Sequence, residues 1–255
     1  MRIYIPTRGR ASKQLTYNAL PLELRKVVVF VVNSKDDLPI GATNVVECPV
    51  SGIGNTRQWI ADEHNARKYG RNIIMLDDDL RFARRRKDDP TKFEAMDAGD
   101  FMQMFAAVEH ALSANALVSV CSREGGNNMT KGDELNIRCL RFLAYDAFAI
   151  RGVAAKFNDL PVMEDFHVAL SLLRAGHTSL TLTKWAQDNA GGSNSPGGCS
   201  TYRTSEVQAE GARRLKELHP MFVKVVEKST KTAWGGGTRV DVTVRWKDAY
   251  RSSQV

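Results

Sequence analysis

The sequence has no apolar run that could cross a membrane. A membrane-spanning helix needs about 18 or more predominantly apolar residues, whereas the longest run here, Val27–Val32, is as short as a strand. The first residues, Met1–Pro6, have the pattern of a strand and lack the apolar region and cleavage site of a signal peptide. We therefore predict a cytoplasmic protein without a membrane partner.

Cysteine is sparse, and the common metal and nucleophile motifs are missing. The four cysteines, Cys48, Cys121, Cys139 and Cys199, lie far apart and form no Cys-x-x-Cys pair. The five histidines show no His-Glu-x-x-His spacing, and no Gly-x-Ser-x-Gly motif is present. We therefore expect free buried thiols and structural histidines rather than a disulfide framework, a zinc site or a serine nucleophile.

Acidic residues are fewer than basic ones. The chain has 36 Lys and Arg against 29 Asp and Glu, which gives a net charge of +7. The hydrophobic share of 43% and the charged share of 25% are those of a globular protein and exclude a disordered chain. The basic excess fits a polyanionic partner such as nucleic acid, and it fits an ordinary basic protein equally well. The basic residues concentrate at Arg81–Lys87 and near the C-terminus.

Short apolar segments alternate with helical patterns along most of the chain. Predicted strands cover Arg2–Ile5, Val27–Val32, Asn44–Glu47, Asn72–Leu76, Leu117–Val120, Ala147–Ile150 and Thr178–Thr183. Predicted helices cover Gly54–Tyr69, Gly99–Ala114, Asp165–Ala175 and Ser205–Leu218. Several strands are continuous apolar runs, which is typical of strands covered on both faces. The alternation predicts an α/β fold with a mainly parallel sheet flanked by helices, whose ligands bind at the carboxyl ends of the strands.

The C-terminal part follows a different pattern. Asp188–Ser200 is rich in Gly, Asn and Ser and predicts a loop, and Trp234–Gly237 predicts a hinge. Beyond the hinge, apolar and polar residues alternate over Thr238–Trp246, which predicts a one-sided strand or arm.

The most informative motif is an apolar strand that ends in three carboxylates, Asp77, Asp78 and Asp79. Adjacent like charges repel one another, and a divalent cation bound through oxygen ligands removes that cost. Mg²⁺ and Mn²⁺ often take one or two protein carboxylates and complete their shells with substrate phosphate and water. The alternative is a solvated acidic turn that caps a following helix.

Three further motifs lie at ends of predicted elements. The first strand ends in Pro6, Thr7, Arg8, Gly9 and Arg10, whose hydroxyl and guanidinium groups suit phosphate, although such basic turns are common.

Two glycines open the helix that contains Gly54, Asn55 and Arg57, and they expose backbone N–H groups to an anion or form an ordinary helix cap. Glu164 and Asp165 open another helix, where they complement the helix dipole or supply a general base.

In this order along the chain, these motifs resemble a GT-A-fold glycosyltransferase of the family-2 type. The Ile5–Arg10 segment and the Gly197–Arg203 segment further resemble the phage and TET/JBP-associated glycosyltransferases, which modify hydroxymethylpyrimidines in DNA. The resemblance implies a three-layer GT-A-like sandwich with residues 1–188 as the core. Residues 189–255 would form a loop, a helix and an arm that complete the acceptor side of the same domain.

The resemblance also assigns roles to individual residues. Asp165, with Glu164 beside it, corresponds to the catalytic base. Mn²⁺ or Mg²⁺ would be held by Asp77 and Asp79, with Asp188 favoured over His177 as a further ligand. The nucleotide-sugar donor, expected to be a UDP-sugar such as UDP-glucose, would contact Pro6, Thr7, Arg8, Arg10, Gly54, Asn55, Arg57, Asp77 and Asp78.

DNA is the acceptor that the resemblance implies, in the cytoplasm of a host cell if a phage encodes the chain. Phosphate contacts are then expected from Arg84, Arg85, Arg86, Arg239 and Arg245, and closure over the sugar from the Gly-rich loop. Three alternatives remain at this point. They are a transferase acting on a glycan or lipid-linked sugar, a nucleotidyltransferase, and a non-enzymatic nucleic-acid-binding protein, although the last leaves the acidic strand end unexplained.

Overall fold

The fold is built around one large mixed sheet. A computed structural model describes residues 1–39, 41–123, 132–189, 197–229 and 237–254. The strands are β1 (Arg2–Thr7), β2 (Val28–Val32), β3 (Val45–Glu47), β4 (Asn72–Leu76), β5 (Leu80–Arg85), β6 (Phe93–Glu94), β7 (Leu117–Ser122), β8 (Glu134–Leu135), β9 (Phe142–Asp146), β10 (Ser179–Asn189), β11 (Val223–Ser229) and β12 (Thr238–Val244). The helices are α1 (Leu15–Ala19), α2 (Leu22–Arg25), α3 (Ile53–Ala66), α4 (Ala98–Ala111), α5 (Ala147–Gly152), α6 (Glu164–Arg174), α7 (Ser205–Leu218) and α8 (Trp246–Arg251).

Strand order brings the ends of β1, β2 and β4 to one edge. Within the described residues, ten strands form the sheet in the order β3-β2-β1-β4-β9-β7-β10-β5-β6, and β8 pairs with β10. The pairs β1–β2, β1–β4, β2–β3 and β7–β10 are parallel. Because β9, β5 and β8 run antiparallel to their neighbours, the other strands share one direction. The prediction of an α/β fold with a mainly parallel sheet is therefore confirmed.

Helices cover both faces of the sheet because its strands are apolar on both sides. Ile3 and Ile5 of β1 pack towards α4, where Phe105 is buried. Tyr4, which lies between them in sequence, packs on the opposite face with Ile60 of α3. This alternation is the two-residue period of a strand. The result is the three-layer arrangement that was predicted.

One predicted strand is a helix. Ala147–Ile150 was expected to be a strand, but it lies in α5, and the strand is the preceding segment, β9. The Asp146 carboxylate accepts a hydrogen bond of 2.9 Å from the Phe148 N–H and so caps the helix. The apolar run is continuous across this boundary, and periodicity alone cannot divide such a run.

The C-terminal segment contains the predicted one-sided strand and packs onto α6 and α7. The predicted arm is β12, which forms an antiparallel hairpin with β11. Val223 and Val242 of this hairpin share a buried cluster with Leu170 of α6 and Leu215 of α7. Of the predicted hinge, only Gly237 lies within the described residues.

The remaining general expectations concern membranes and thiols. In the parts of the chain that the structure describes, no helix is both long and apolar enough to span a membrane. The four cysteines are free. Cys48, Cys121 and Cys139 are buried as predicted, whereas Cys199 is only half-buried.

Candidate active site

A pocket of about 300 Å³ opens where β1 and β4 end. Side chains from the acidic strand end, from the start of α6 and from the C-terminal hairpin converge there. Its charged lining residues are Arg10, Arg57, Asp77, Asp78, Asp79, Arg138, Arg141, Glu164, Asp165, Arg203, Lys228, Arg239 and Asp241. Pockets of this size suit small ligands with a few oriented polar groups.

The acidic triplet of residues 77–79 is held by hydrogen bonds from the end of β1 and the loop after it. Buried Asp78 accepts hydrogen bonds from the Thr7 hydroxyl at 2.7 Å and from Arg10 at 2.5 Å. The same Arg10 nitrogen lies 3.0 Å from Asp79. Desolvation raises the pKa of each of the three carboxyls, while Arg10 opposes this rise at Asp78 and Asp79. The turn is therefore an internally paired structure rather than a solvated acidic loop.

Arg57 connects the acidic triplet to the start of α6. Its guanidinium lies 3.0 Å from Asp77 and 2.6 Å from Glu164. Burial alone would lower the pKa of Arg57, but the two carboxylates hold it above its usual value. The side chain is 6% exposed, so Arg57 holds protein carboxylates in place instead of facing solvent.

The two carboxylates of the Glu164–Asp165 pair have different surroundings. Glu164 is buried against Arg57, and desolvation raises its pKa to about 7. Asp165 is half-buried and lines the pocket, and one of its oxygens accepts a hydrogen bond of 3.0 Å from the Phe166 N–H. Asp165 is therefore the carboxylate of the pair that is accessible to a ligand.

A smaller cleft adjoins the pocket at the ends of β1 and β2. It is lined by Pro6, Thr7, Arg8, Val31, Asn33, Gly52, Ile53, Thr56, Gly198, Cys199 and Tyr202. The Tyr202 hydroxyl accepts a hydrogen bond of 2.9 Å from the Ile53 N–H and so joins the two walls of the cleft. Gly198 donates its N–H to the Arg8 carbonyl at 2.8 Å. The end of the Gly-rich loop is thus attached to the loop after β1.

Gly197 is required for this attachment. A Cβ at Gly197 would lie 2.8 Å from side-chain atoms of Arg10, and its φ of +91° is unfavourable for other residues. Residues 190–196 of the predicted loop lie outside the described residues.

Two residues predicted to contact the donor have structural surroundings instead. A Cβ at Gly54 would lie 2.7 Å from the Phe157 carbonyl oxygen, so this glycine permits close packing of α3. The Asn55 amide donates to the Ser51 carbonyl at 2.8 Å. Both residues lie outside the linings of the pocket and the cleft. The packing of Gly54 agrees with the alternative of an ordinary helix start, and contact of Gly54 and Asn55 with the donor stays a prediction.

Asp188, the expected further metal ligand, does not join Asp77 and Asp79. Its carboxylate lies 3.2 Å from Arg123, and the next residue, Asn189, lines the pocket. Successive residues of a strand point to opposite faces, which explains why Asp188 points away. Over the described ranges, no group of three or more His, Cys, Asp or Glu side chains is arranged to hold a metal.

Arginines of the basic cluster that follows the acidic triplet contact other parts of the protein. In β5, buried Arg85 donates to the Thr183 and Pro90 carbonyls at 2.8 and 2.7 Å. Arg84 pairs with Glu94 and Asp100, at 2.9 and 2.8 Å. The expectation that this cluster binds DNA phosphates is therefore wrong for Arg85, whose guanidinium is buried among backbone carbonyls.

A second basic group in the pocket was missed by the sequence analysis. Arg138 and Arg141 come from the segment before β9, Arg203 from the turn before α7, and Lys228 and Arg239 from the hairpin. Of these, only Arg239 was singled out, and it pairs with Asp241 at 2.9 Å. Arg203 lies in the Gly197–Arg203 segment that carries the resemblance, whereas Arg138, Arg141 and Lys228 are isolated in sequence and only the fold brings them to the pocket.

Comparison with known proteins identifies the family. The description "TET-Associated Glycosyltransferase" belongs to the family that matches residues 1–197. A mannose-1-phosphate geranyltransferase from Thermus thermophilus has a similar structure, with a TM-score of 0.45 and 9% identity over 73% of this chain and 75% of that one. A197 from STIV has a TM-score of 0.41 and 13% identity over 74% of this chain and 85% of that one.

A search of curated proteins finds no match. The family match covers most of the chain, including the acidic triplet and Asp165. The chain therefore belongs to the TET-associated glycosyltransferase family and is a glycosyltransferase.

Proposed function

We propose that the enzyme transfers a sugar from a nucleotide-sugar to the hydroxyl of a 5-hydroxymethylpyrimidine in DNA. The observation that carries this proposal is the convergence of Asp77, Asp79 and the accessible Asp165 in one pocket. The family description associates such transferases with TET proteins, and the net charge of +7 suits a polyanionic acceptor.

The donor nucleoside would occupy the smaller cleft. Its walls combine apolar groups, such as Val31 and Ile53, with polar groups, such as Asn33 and Arg8. Such a lining suits the flat apolar faces and polar edges of a base and a ribose. Because the cleft adjoins the pocket, the diphosphate of this donor would extend towards the acidic triplet.

The carboxylates of Asp77 and Asp79 fit a divalent cation that the donor helps to bind. One oxygen of Asp77 contacts Arg57 and one oxygen of Asp79 contacts Arg10, and both carboxylates line the pocket. Asp77 is also 34% exposed. Two carboxylates suit Mg²⁺ or Mn²⁺, which commonly complete their shells with phosphate and water. When bound, the cation would stabilise negative charge on the leaving diphosphate.

Asp165 would act as the general base. It would accept the proton of the acceptor hydroxyl while the oxygen bonds to the anomeric carbon of the sugar. The bond from that carbon to the diphosphate breaks, and the nucleoside diphosphate leaves. Glu164 is less suited to this role, because its carboxylate is buried and paired with Arg57 at 2.6 Å.

The acceptor base would have to leave the DNA stack to reach Asp165, because the pocket is recessed between β4, α6 and the hairpin. For enzymes that modify bases this extrusion costs a few kcal/mol, and less in single strands. We therefore expect faster transfer to single-stranded than to duplex DNA that carries the same modified base.

The experiment that tests the function is a transfer assay. The protein is incubated with Mn²⁺, UDP-glucose and other nucleotide-sugars, and an oligonucleotide that contains 5-hydroxymethyluracil or 5-hydroxymethylcytosine. Mass analysis of the digested nucleosides should show one added hexose. An oligonucleotide with thymine or cytosine in place of the modified base is the matched control. Transfer to a glycan acceptor but to neither modified base would overturn the DNA assignment.

Binding of the cation is tested separately from transfer. Calorimetry should detect Mn²⁺ binding that is tighter in the presence of UDP than in its absence, because the described protein ligands alone form no closed metal site. Equal Mn²⁺ affinity with and without UDP, or full activity in excess EDTA, would contradict the shared site.

A further inference from the structure

A cluster of arginines and aromatic rings lies at the edge of the sheet opposite the pocket. The pocket opens where β1 and β4 end, whereas this cluster lies where the same two parallel strands begin. The strand β9 runs antiparallel to β4 and therefore ends at this edge, where Asn72 pairs with Asp146. We call the cluster the arginine–aromatic surface, and its members are Arg2, Arg67, Lys68, Tyr69, Arg71, Phe148 and Arg151.

Two exposed aromatic rings of this surface are in contact with guanidinium groups. The guanidinium carbon of Arg2 lies 3.6 Å from the centroid of the Tyr69 ring. At the start of α5, the Phe148 ring has the guanidinium carbon of Arg151 at 4.6 Å and that of Arg71 at 5.9 Å from its centroid. Tyr69 is 38% exposed and Phe148 is 55% exposed. Both rings therefore present aromatic area to solvent beside positive charge.

The two rings belong to one continuous surface. Tyr69 and Arg71 lie in the turn between α3 and β4, with a single residue between them. The Arg71 carbonyl accepts the N–H of Ala147, the residue before Phe148, at 2.7 Å. Because neighbouring strands lie about 4.8 Å apart, β1, β4 and β9 together span about 10 Å at this edge. A strand of about three nucleotides covers that width.

The surface carries an excess of positive charge. Arg67 pairs with Glu63 at 2.8 Å, and Arg71 pairs with Asp146 at 2.7 Å. Within the described ranges, the other three cationic side chains form no ion pair with a carboxylate, and these are Arg2, Lys68 and Arg151. The surface is therefore electrostatically suited to an anionic partner.

Flat apolar rings beside cationic groups match an unpaired strand of nucleic acid. Proteins that bind such strands stack bases on aromatic side chains and contact the phosphates with Lys and Arg. In a duplex the faces of the bases are covered by their neighbours, so the exposed rings favour an unpaired strand. A second copy of this chain is a poor partner, because its net charge of +7 would oppose association with a basic surface.

We propose that the arginine–aromatic surface binds an unpaired segment of DNA outside the pocket. A base stacks on the exposed Phe148 ring, and Arg2 and Arg151 contact phosphates of the same strand. The surface holds DNA and takes no part in sugar transfer, so it goes beyond the proposed function. Its binding is measurable without a sugar donor.

The first test measures the affinity for a labelled oligothymidine, which carries no modified base, by fluorescence anisotropy. Phe148→Ala should weaken binding by about 5-fold or more, the lower end of the range for a base stacked on an aromatic ring. Phe148→Trp, which keeps an aromatic face, should retain the affinity. Leu22→Ala removes an apolar side chain of α2 that is 68% exposed, and as the matched control it should have no effect. Unchanged affinity in Phe148→Ala would overturn the proposal.

An abasic oligonucleotide of the same length separates stacking from charge and from folding. It presents the same phosphates without bases, so Phe148→Ala should leave its binding unchanged. Equal weakening with the abasic oligonucleotide and with oligothymidine would mean that the substitution does not act through a base. That result would overturn the stacking role of Phe148 and with it the proposal.

The salt dependence of binding tests the phosphate contacts. Arg2→Ala and Arg151→Ala should each reduce the log–log salt slope with oligothymidine by about 0.7, the value for one phosphate contact on a single strand. Arg213→Ala removes an exposed arginine of α7 and should leave the slope unchanged. Polyglutamate should compete poorly with oligothymidine. Competition as strong as that of DNA at equal charge would assign the surface to an acidic protein and overturn the proposal.

Photo-cross-linking locates the bound strand directly. An oligonucleotide that carries 5-iodouracil, which cross-links to aromatic side chains in contact with it, should yield a peptide that contains Tyr69 or Phe148. Cross-links confined to residues of the pocket would overturn the proposal. Transfer to the nucleoside 5-hydroxymethyl-2′-deoxyuridine, which is too small to reach both sites, should be unchanged in Phe148→Ala. If no acceptor receives sugar, the proposed function fails, and anisotropy and cross-linking still decide whether this surface binds DNA.

Discussion

Two groups of arginines in this protein have opposite surroundings. The arginines of β5 and the residue after it, Arg84–Arg86, are consecutive in sequence, and each is engaged by neighbouring carboxylates or backbone carbonyls. The arginines around Asp165 come from separate segments and meet in a pocket with fewer carboxylates than cations. A run of basic residues therefore belongs to a strand of the sheet here, whereas the basic residues of the pocket are dispersed in sequence.

The difference follows from the way that a strand distributes its side chains. Alternate residues of β5 face opposite sides, so Arg85 enters the interior while its neighbours meet acidic residues at the surface. A pocket at the ends of strands instead collects side chains from several loops. Charge density along a sequence is therefore a poor guide to charge density in space.

The largest effect is expected from a substitution of Asp165, the proposed general base. Asp165→Asn keeps the size of the side chain but removes its capacity to accept a proton. Sugar transfer should fall by about 10²- to 10⁴-fold, the usual contribution of a general base. The measurement is single-turnover transfer at saturating UDP-sugar, with UDP affinity as the control. An unchanged rate would remove Asp165 from the reaction.

The next largest effect should distinguish Arg57, a buried arginine of α3, from Arg67, an exposed arginine at the end of the same helix. Arg57→Ala leaves Glu164 and Asp77 without their partner, so the free energy of unfolding should fall by about 3–5 kcal/mol. Arg67→Ala removes an exposed partner of Glu63 at the end of the same helix and should cause no measurable change. Urea denaturation measures both variants. Equal stabilities would show that the bridge between Asp77 and Glu164 does not form.

A smaller effect on stability should distinguish Arg85, at the end of β5, from the next residue, Arg86. Arg85→Ala deletes hydrogen bonds to the Thr183 and Pro90 carbonyls and should lower the free energy of unfolding by about 2–3 kcal/mol. Arg86→Ala removes only an exposed contact with Asp88 and should leave stability unchanged. Thermal and urea unfolding both report the difference. A stable Arg85→Ala variant would mean that Arg85 is available for a ligand after all.

A pair of histidines is also buried. Burial keeps these rings neutral, whereas buried Arg57 stays charged and is paired with carboxylates. His167 and His219 share a hydrogen bond of 2.8 Å between α6 and the end of α7, with Asp159 and Arg174 at its two sides. Desolvation lowers the pKa of His167, and it lowers that of His219 to about 3. Burial thus favours the neutral form of both rings in the folded protein.

Acid should therefore weaken this contact. The contribution of neutral His219 to the free energy of unfolding is complete above the ordinary histidine pKa of 6.5. It is lost as the pH falls towards 3, because the unfolded chain binds the proton more tightly than the folded protein does. The slope from His219 should approach about 1.4 kcal/mol per pH unit. Urea titrations between pH 7 and 4 measure this slope. His219→Gln should flatten it, and an equal slope in this variant would refute the assignment.

The smallest effect concerns DNA binding, in which the arginines near β5 and those of the pocket should differ. Arg86→Ala should leave both the DNA affinity and its salt dependence unchanged, because Arg86 is paired with Asp88. Arg203 lines the pocket in which the DNA acceptor is proposed to bind, so Arg203→Ala should reduce the log–log salt slope by about 0.7–0.9 if it contacts one phosphate. Anisotropy titrations of a labelled oligonucleotide over a range of salt concentrations distinguish the two variants. A smaller salt slope in Arg86→Ala and an unchanged slope in Arg203→Ala would instead assign the DNA contact to Arg86.

Much of the sheet was predictable because its strands are strongly apolar. The segments at β1, β2, β4 and β7 were predicted close to their observed bounds, since buried parallel strands are continuous apolar runs. The boundary between β9 and α5 was not, because both sides of it are apolar. The strand β5 was also missed, because its charged residues hid a strand in which Leu80, Ala83 and Arg85 are buried.

The sequence by itself determined the α/β alternation and supplied the candidate carboxylates of the site, because an apolar strand ending in Asp77–Asp79 and a helix starting with Glu164-Asp165 are local patterns. Only the tertiary structure decided which of these side chains meet. It buried Glu164 against Arg57, turned Asp188 away and placed Arg138 and Arg203 beside Asp165. Those outcomes depend on strand order, on the face of each strand and on loops distant in sequence, none of which leaves a local pattern.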